Sequence, residues 1–182
     1  MKAIYDNVYS EVDDYDSIFQ YKIDVINKTF SLYDNSIKII DVGCGKGHYL
    51  KNFLNHGFNN ILGIEFSEVC SKNFLYNLPH LNKDFLEYAH VINDQEYDVC
   101  LCMDVIEHIS LENLDEFLKS IARISKESVL GIANHSDMLL GQELHLIQEN
   151  IEWWGEKLKS FYLSIDLVYT HDSRFFIFKC KN

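Results

Sequence analysis

Short runs of β-branched and apolar residues alternate along the chain with longer segments whose apolar positions recur every three or four residues. The two periods predict strands and helices in turn. Ile18, Phe19, Ile23, Ile26 and Phe30 recur at helical spacing and predict an N-terminal helical segment. Ile37 to Asp41 reads as a first strand; Gly43, Gly45 and Gly47 form the turn after it, and Leu50, Phe53 and Leu54 stripe a helix that stops at Gly57. Ile61 to Glu65 is the second strand, followed by a helix capped by Ser67, bearing Cys70, Phe74 and Leu78, and ended by Pro79. A short third strand is predicted around Leu81 to Phe85, and a fourth, apolar on both faces, over Tyr97 to Asp104. Leu114, Phe117, Leu118, Ile121 and Ile124 stripe the helix after Ser110, and Ser128 to Ala133 is a fifth strand. Leu144, Ile147, Ile151, Trp154 and Leu158 predict one more helix, and Ile165 to Tyr169 with Phe175 to Phe178 predict a closing antiparallel hairpin.

This alternation predicts the α/β class: a three-layer α/β/α sandwich around a mostly parallel, seven-stranded sheet with a C-terminal antiparallel hairpin. Ligands of such sheets sit beyond the carboxyl ends of the strands. At 182 residues, 47% hydrophobic with one Pro, the chain reads as one domain that needs neither disulfides nor metal to hold a core. Within it, residues 1–35 are expected to form a helical lid segment on a core of 36–182.

Charge narrows the partners. Sixteen Lys and Arg against 28 Asp and Glu leave a net charge of −12, which disfavours nucleic acid and anionic membrane surfaces. Glu11, Asp13, Asp14 and Asp16 concentrate acids near the start. The N-terminus has no apolar signal-peptide core, and no apolar run approaches the ~18 residues of a membrane span, so the expected compartment is the cytoplasm. Five cysteines without a Cys-x-x-Cys pair are expected to be reduced, buried thiols.

The candidate chemistry begins with Asp41-Val42-Gly43-Cys44-Gly45-Lys46-Gly47, a turn that lets backbone approach a ligand and opens a helix, or that serves tight packing alone. His48 occupies the third required position of the dinucleotide fingerprint, which counts against nicotinamide, and the phosphate-cradling Gly-Lys-Ser/Thr pattern is absent. What remains is an acid before the glycines, a second acid, Glu65, placed to accept from a ribose diol, and a third, Asp84, which either meets an adenine amine or caps a turn.

Together with Gly63-Ile64-Glu65-Phe66-Ser67 and Asp104-Val105-Ile106-Glu107-His108-Ile109, this turn resembles the ordered motifs of S-adenosylmethionine-dependent methyltransferases of Rossmann-like fold. The similarity runs from about Ile37 to Asn134 and leans toward the branch that methylates small molecules and sugars. The resemblance implies S-adenosylmethionine as cofactor. It places Gly43 and Gly45 at the methionine moiety, with Asp41 ordering the loop and water near the amino group and Cys44 among the cofactor-binding residues, Glu65 at the ribose, Phe66 on the adenine face, Asp84 and Phe85 at the adenine edge, and Met103 and Asp104 beside the sulfonium and amino acid.

Transfer to a hydroxyl needs a proton acceptor, and His108, His135 and His145 are the candidates because each follows the fourth or fifth strand. A divalent ion would use pairs such as His145 with Glu143 or His135 with Asp137, but their spacing is not diagnostic and no metal is assigned. Tyr5, Tyr9 and Trp153 are the expected acceptor contacts, with Tyr15 beside the two tyrosines and Trp154 in the core. The expected activity is O-methylation of a small hydroxylated acceptor, a surface-glycan sugar precursor or a ring hydroxyl. A non-catalytic binding module of the same fold is the alternative. The oligomeric state is open.

Overall fold

The computed structural model describes residues 2–13 and 15–182; Met1 and Asp14, one of the clustered acids, lie outside the described residues. The strands are β1 (Ile39–Val42), β2 (Ile61–Glu65), β3 (His80–Asn82), β4 (Tyr97–Met103) and β5 (Ser125–Ala133). A two-residue pair follows, β6 (Met138–Leu139) with β7 (Gln142–Glu143), then the long hairpin β8 (Ser164–His171) and β9 (Phe175–Lys181). The main sheet has the order β3-β2-β1-β4-β5-β9-β8, and its first five strands in that order are parallel. β9 inserts antiparallel between β5 and β8, as the closing hairpin requires.

Helices cover both faces. One core layer joins Phe85, Phe117, Leu118, Trp154 and Leu158 from α5 (Phe85–Ala89), α6 (Leu111–Ile124) and α7 (Ile151–Leu158) to the sheet. The other joins Phe30, Leu50 and Phe53 from α2 (Gln20–Phe30) and α3 (His48–Asn55). β1 and β4 are therefore sandwiched, which is why their runs are apolar on both faces. From β1 the chain winds out to β2 and β3 and then returns to β4, so the crevice above the carboxyl ends of β1 and β4 is the topological switch point.

Several expectations move. The N-terminal helical segment is two helices, α1 (Lys2–Glu11) and α2, with Ile18 and Phe19 before the second. The helix after Ser67 is only α4 (Glu68–Lys72); Ser67 Oγ accepts from Cys70 N as foreseen, but Asn73 closes the helix well before Pro79. The third strand sits earlier than predicted, and Asp84 becomes the N-cap of α5, its Oδ1 accepting from Leu86 N and Glu87 N. Leu144 and Ile147 mimic helical spacing with Ile151 but are buried from an irregular segment, since Leu144 N donates to Asp137 O and Ile147 N to Glu107 O. The helix starts at Asn150, whose side chain accepts from Trp153 N.

Trp154 is wholly buried and is the largest side chain of the core. Trp154→Ala is expected to cost ~3–5 kcal/mol in urea unfolding, by lost transfer energy plus a cavity. Leu163→Ala, at a side chain 90% exposed, is expected to stay within ~0.5 kcal/mol.

Candidate cofactor and acceptor site

The loop after β1 turns on glycines because each holds a positive φ: Gly43 at 73°, Gly45 at 53° and Gly47 at 89°. A Cβ on Gly43 would lie 2.4 Å from Val105 Cγ2, so the backbone there passes a neighbour that no side chain could pass. Gly47 is equally tight, 2.3 Å from the Phe74 ring. The loop's own amides donate inside the protein, to Ile64 O, Cys44 O, Glu65 and Asp16, and Gly43 brings bare backbone to the wall of a cavity of about 390 Å³.

Two carboxylates are buried under this loop. Glu65 Oε2 accepts from Gly45 N at 3.1 Å and its Oε1 from Ser67 N at 2.7 Å, which ties β2 to the glycine turn. Burial nonetheless raises its pKa to about 7, against the pull of those amides. Asp41, at the end of β1, is raised to about 8 by burial and by the Glu65 charge, and its Oδ2 is buried without a partner among the described residues. Neighbouring acids held this far from water fit a ligand that brings positive charge and hydroxyl donors.

The cavity is lined by Gly43, Glu65, Phe66, Asp84, Phe85, Asp104 and His108 among others. Asp84 caps α5 and also lines the cavity. Four of the expected cofactor residues lie behind the lining. Asp41 supports the loop from below. Cys44 is buried, its Sγ against Gly63. Gly45 is covered by Asp16 and the Tyr9 hydroxyl, and Met103 packs its thioether on Gly131.

Residues of the N-terminal segment line this space and are held there by polar latches that no local sequence pattern announces. Asp6 Oδ1 accepts from Ser67 Oγ at 2.7 Å and from Val69 N, pinning α1 to α4. Asp16 Oδ2 accepts from Lys46 N at 2.9 Å and its Oδ1 pairs with Lys46 Nζ, so this acid grips the glycine loop instead of facing water. Lys22 Nζ bonds both oxygens of Asp104 at 2.8 and 2.7 Å and lies over the Phe175 ring. Tyr5 and Tyr9 do line the cavity, joined by Tyr15; the Tyr5 ring stands 5.4 Å from Phe66 and 5.6 Å edge-on to His108.

The three histidines come together as a row. His108 and His145 ring centres are 4.6 Å apart and His145 and His135 are 4.8 Å apart. Among these three, His108 alone lines the cavity; burial lowers its pKa to about 3 and keeps it neutral. His145 is buried behind it and His135 is partly exposed. Trp153 is a correction: it packs edge-on against Trp154 beside the core, because α7 starts late and turns it away from the cavity. Glu107, quoted only as part of a motif, is fully buried and accepts from Ala133 N at 2.8 Å, locking the end of β4 to β5.

Comparison with known proteins agrees with this geometry. A family model described as a methyltransferase domain matches residues 16–165. The ubiquinone biosynthesis O-methyltransferase of Rickettsia bellii is 30% identical over 117 residues, 59% of this chain and 46% of that protein. The tRNA U34 carboxymethyltransferase of Helicobacter pylori is 27% identical over 95 residues, 48% of this chain and 36% of that protein. The chain thus spans about half the length, or less, of these curated relatives. The crystal structure of magnesium protoporphyrin IX methyltransferase from Synechocystis PCC 6803 with bound S-adenosylmethionine superposes with a TM-score of 0.72 at 17% identity, covering 100% of this chain and 96% of that one, and shows the shared fold. With its glycine loop, its buried acids and its matched domain, the chain belongs to the S-adenosylmethionine-dependent methyltransferases of Rossmann-like fold.

Proposed function

We propose that this chain methylates a hydroxyl of a small acceptor, and that the acceptor presents it on a flat ring. The observation that carries the reading is the Tyr5 ring standing edge-on to His108 in the cavity wall, where an aromatic face and an imidazole meet beside the cofactor's place. The curated relative named for ubiquinone biosynthesis supports a ring hydroxyl over a glycan sugar. The net charge of −12 supports a small molecule over RNA. The five free, buried cysteines are in keeping with a reducing compartment such as the cytoplasm. The buried acids, kept at a cost to the free chain, support turnover over a non-catalytic module.

Bound S-adenosylmethionine supplies a methyl carbon on a positively charged sulfur, already activated for transfer. The protein's part is orientation and proton handling. Glu65 would accept from the ribose hydroxyls, Asp84, Phe85 and Phe66 would hold the adenine, and Asp104 with the loop carrying Gly43 would take the amino acid end. Lys22 holds both Asp104 oxygens in the free chain, so a ligand ammonium would compete with it for that carboxylate, which would couple cofactor entry to the N-terminal helices. His108, neutral and oriented by Leu144 O at 2.9 Å, receives the hydrogen bond of the acceptor hydroxyl, and His145 and His135 continue the row toward solvent.

Because Glu65 holds a proton below about pH 7 in the free chain, and only its ionised form accepts two hydroxyls, cofactor affinity is expected to rise between pH 6 and 8, by up to ~10-fold. Glu65→Gln is expected to weaken binding and flatten that profile, as calorimetry would read; a wild-type affinity flat across this range contradicts the role. His108→Ala is expected to lower kcat for phenolic or catecholic acceptors by ~10²-fold or more while leaving cofactor affinity within a few fold. Methylation of RNA but of no ring hydroxyl in the same assay would overturn the acceptor reading.

A further inference from the structure

Behind the cavity wall, Glu107, His108 and His145 converge, one donor atom from each lying within 4.8 Å of the others, and all three side chains are buried. The imidazoles are fixed in the same way. His108 Nδ1 lies 2.9 Å from Leu144 O and His145 Nδ1 lies 2.6 Å from His135 O. A carbonyl can only accept, so the proton of each ring is on Nδ1 and each Nε2 carries a lone pair. This carbonyl-tethered imidazole is the support that metal-ligating histidines use.

Glu107 supplies the complementary charge. Its Oε1 takes the Ala133 amide, while Oε2 is fully buried with no partner among the described residues. A carboxylate oxygen shut away from water without a donor is costly. A cation satisfies it together with the two lone pairs, and no charged side chain of the cluster does. Asp137 Oδ2, 3.9 Å from His145 Nε2, adds a second acid at the rim.

We propose that Glu107, His108 and His145 form a binding site for a divalent first-row transition metal. Two imidazoles and one carboxylate suit Zn²⁺ or Fe²⁺ and leave a coordination position open, whereas Mg²⁺ and Ca²⁺ prefer an all-oxygen set. Bonds of ~2.1 Å place two donors no more than ~4.2 Å apart, so the side chains close slightly on the ion. Since His108 also lines the cavity, the ion borders the acceptor; in the metal-loaded chain His108 Nε2 is held by the ion, and an acceptor hydroxyl would take the open position instead of that nitrogen and lose its proton to water more readily. That last step rests on the ring-hydroxyl reading; metal binding does not.

The test uses the whole chain, stripped with chelator, passed through a desalting column and titrated with Zn²⁺ and, for its visible absorption, Co²⁺. One equivalent of Zn²⁺ retained per chain by elemental analysis, with a ligand-field spectrum for Co²⁺ unlike that of the aqueous ion, is the expected result. Glu107→Gln, which keeps the Ala133 contact through its amide oxygen, and His145→Gln are each expected to lose the equivalent and the spectrum. His135→Ala, which preserves the carbonyl that orients His145, is expected to retain both. Circular dichroism and the melting shift with S-adenosylhomocysteine report whether each variant is folded. Wild-type protein that retains no ion overturns the proposal, as does stoichiometric retention that survives both substitutions. Full binding without any effect of the metal on turnover would contradict only the acceptor step.

Discussion

Two carboxylates buried at the ends of neighbouring parallel strands constrain everything above them. Asp41 and Glu65 sit where β1 and β2 stop, shielded from water and repelling one another. Hydrophobic burial of the sheet puts them there: β1 is closed on both faces and has no polar side on which to place an acid. The glycine loop answers part of the cost by aiming Gly45 N, with Ser67 N, at Glu65. Asp41 receives less: its Oδ2 is buried behind the cavity lining with no partner among the described residues. A loop with side chains could not make this approach, because a Cβ on Gly43 would overlap Val105.

The N-terminal helices hold the same region through charge instead of packing alone. Asp16 caps a loop amide, Lys22 neutralises Asp104, and Asp6 takes the hydroxyl of Ser67. The Lys22–Asp104 pair joins α2 to the chain just past β4 at the cavity, and because Asp104 is part-exposed the pair is individually weak.

The sheet was legible in the sequence wherever burial imposed a period. Ile61 to Glu65 was bounded correctly because Asn60 and the Ser67 cap frame a run buried on both faces, and the closing hairpin declared itself by its turn. Helical spacing misled where apolar residues were buried from irregular backbone, as at Leu144 and Ile147. Gly43, Glu65 and Phe66 are legible as cavity-lining candidates because their motifs are local to one loop or strand end. The latches were not, because Lys22 and Asp104 are 82 positions apart and Asp6 and Ser67 are 61 apart, and neither residue of a pair carries a mark of its partner. The row of histidines was visible only as three separate candidates. Its juxtaposition depends on Ile147 pairing with Glu107, which folds the segment after β7 back over β4.

The central claim is that the acids beneath the glycine loop form a site for the adenosyl cofactor. Thermal melting with S-adenosylmethionine, S-adenosylhomocysteine and NAD in parallel addresses it with little protein. Either adenosyl ligand at 100 times its dissociation constant is expected to add ~2.7 kcal/mol of stability and raise the midpoint, while NAD leaves it unmoved. A midpoint unchanged by both adenosyl ligands, or raised by NAD instead, would contradict the assignment.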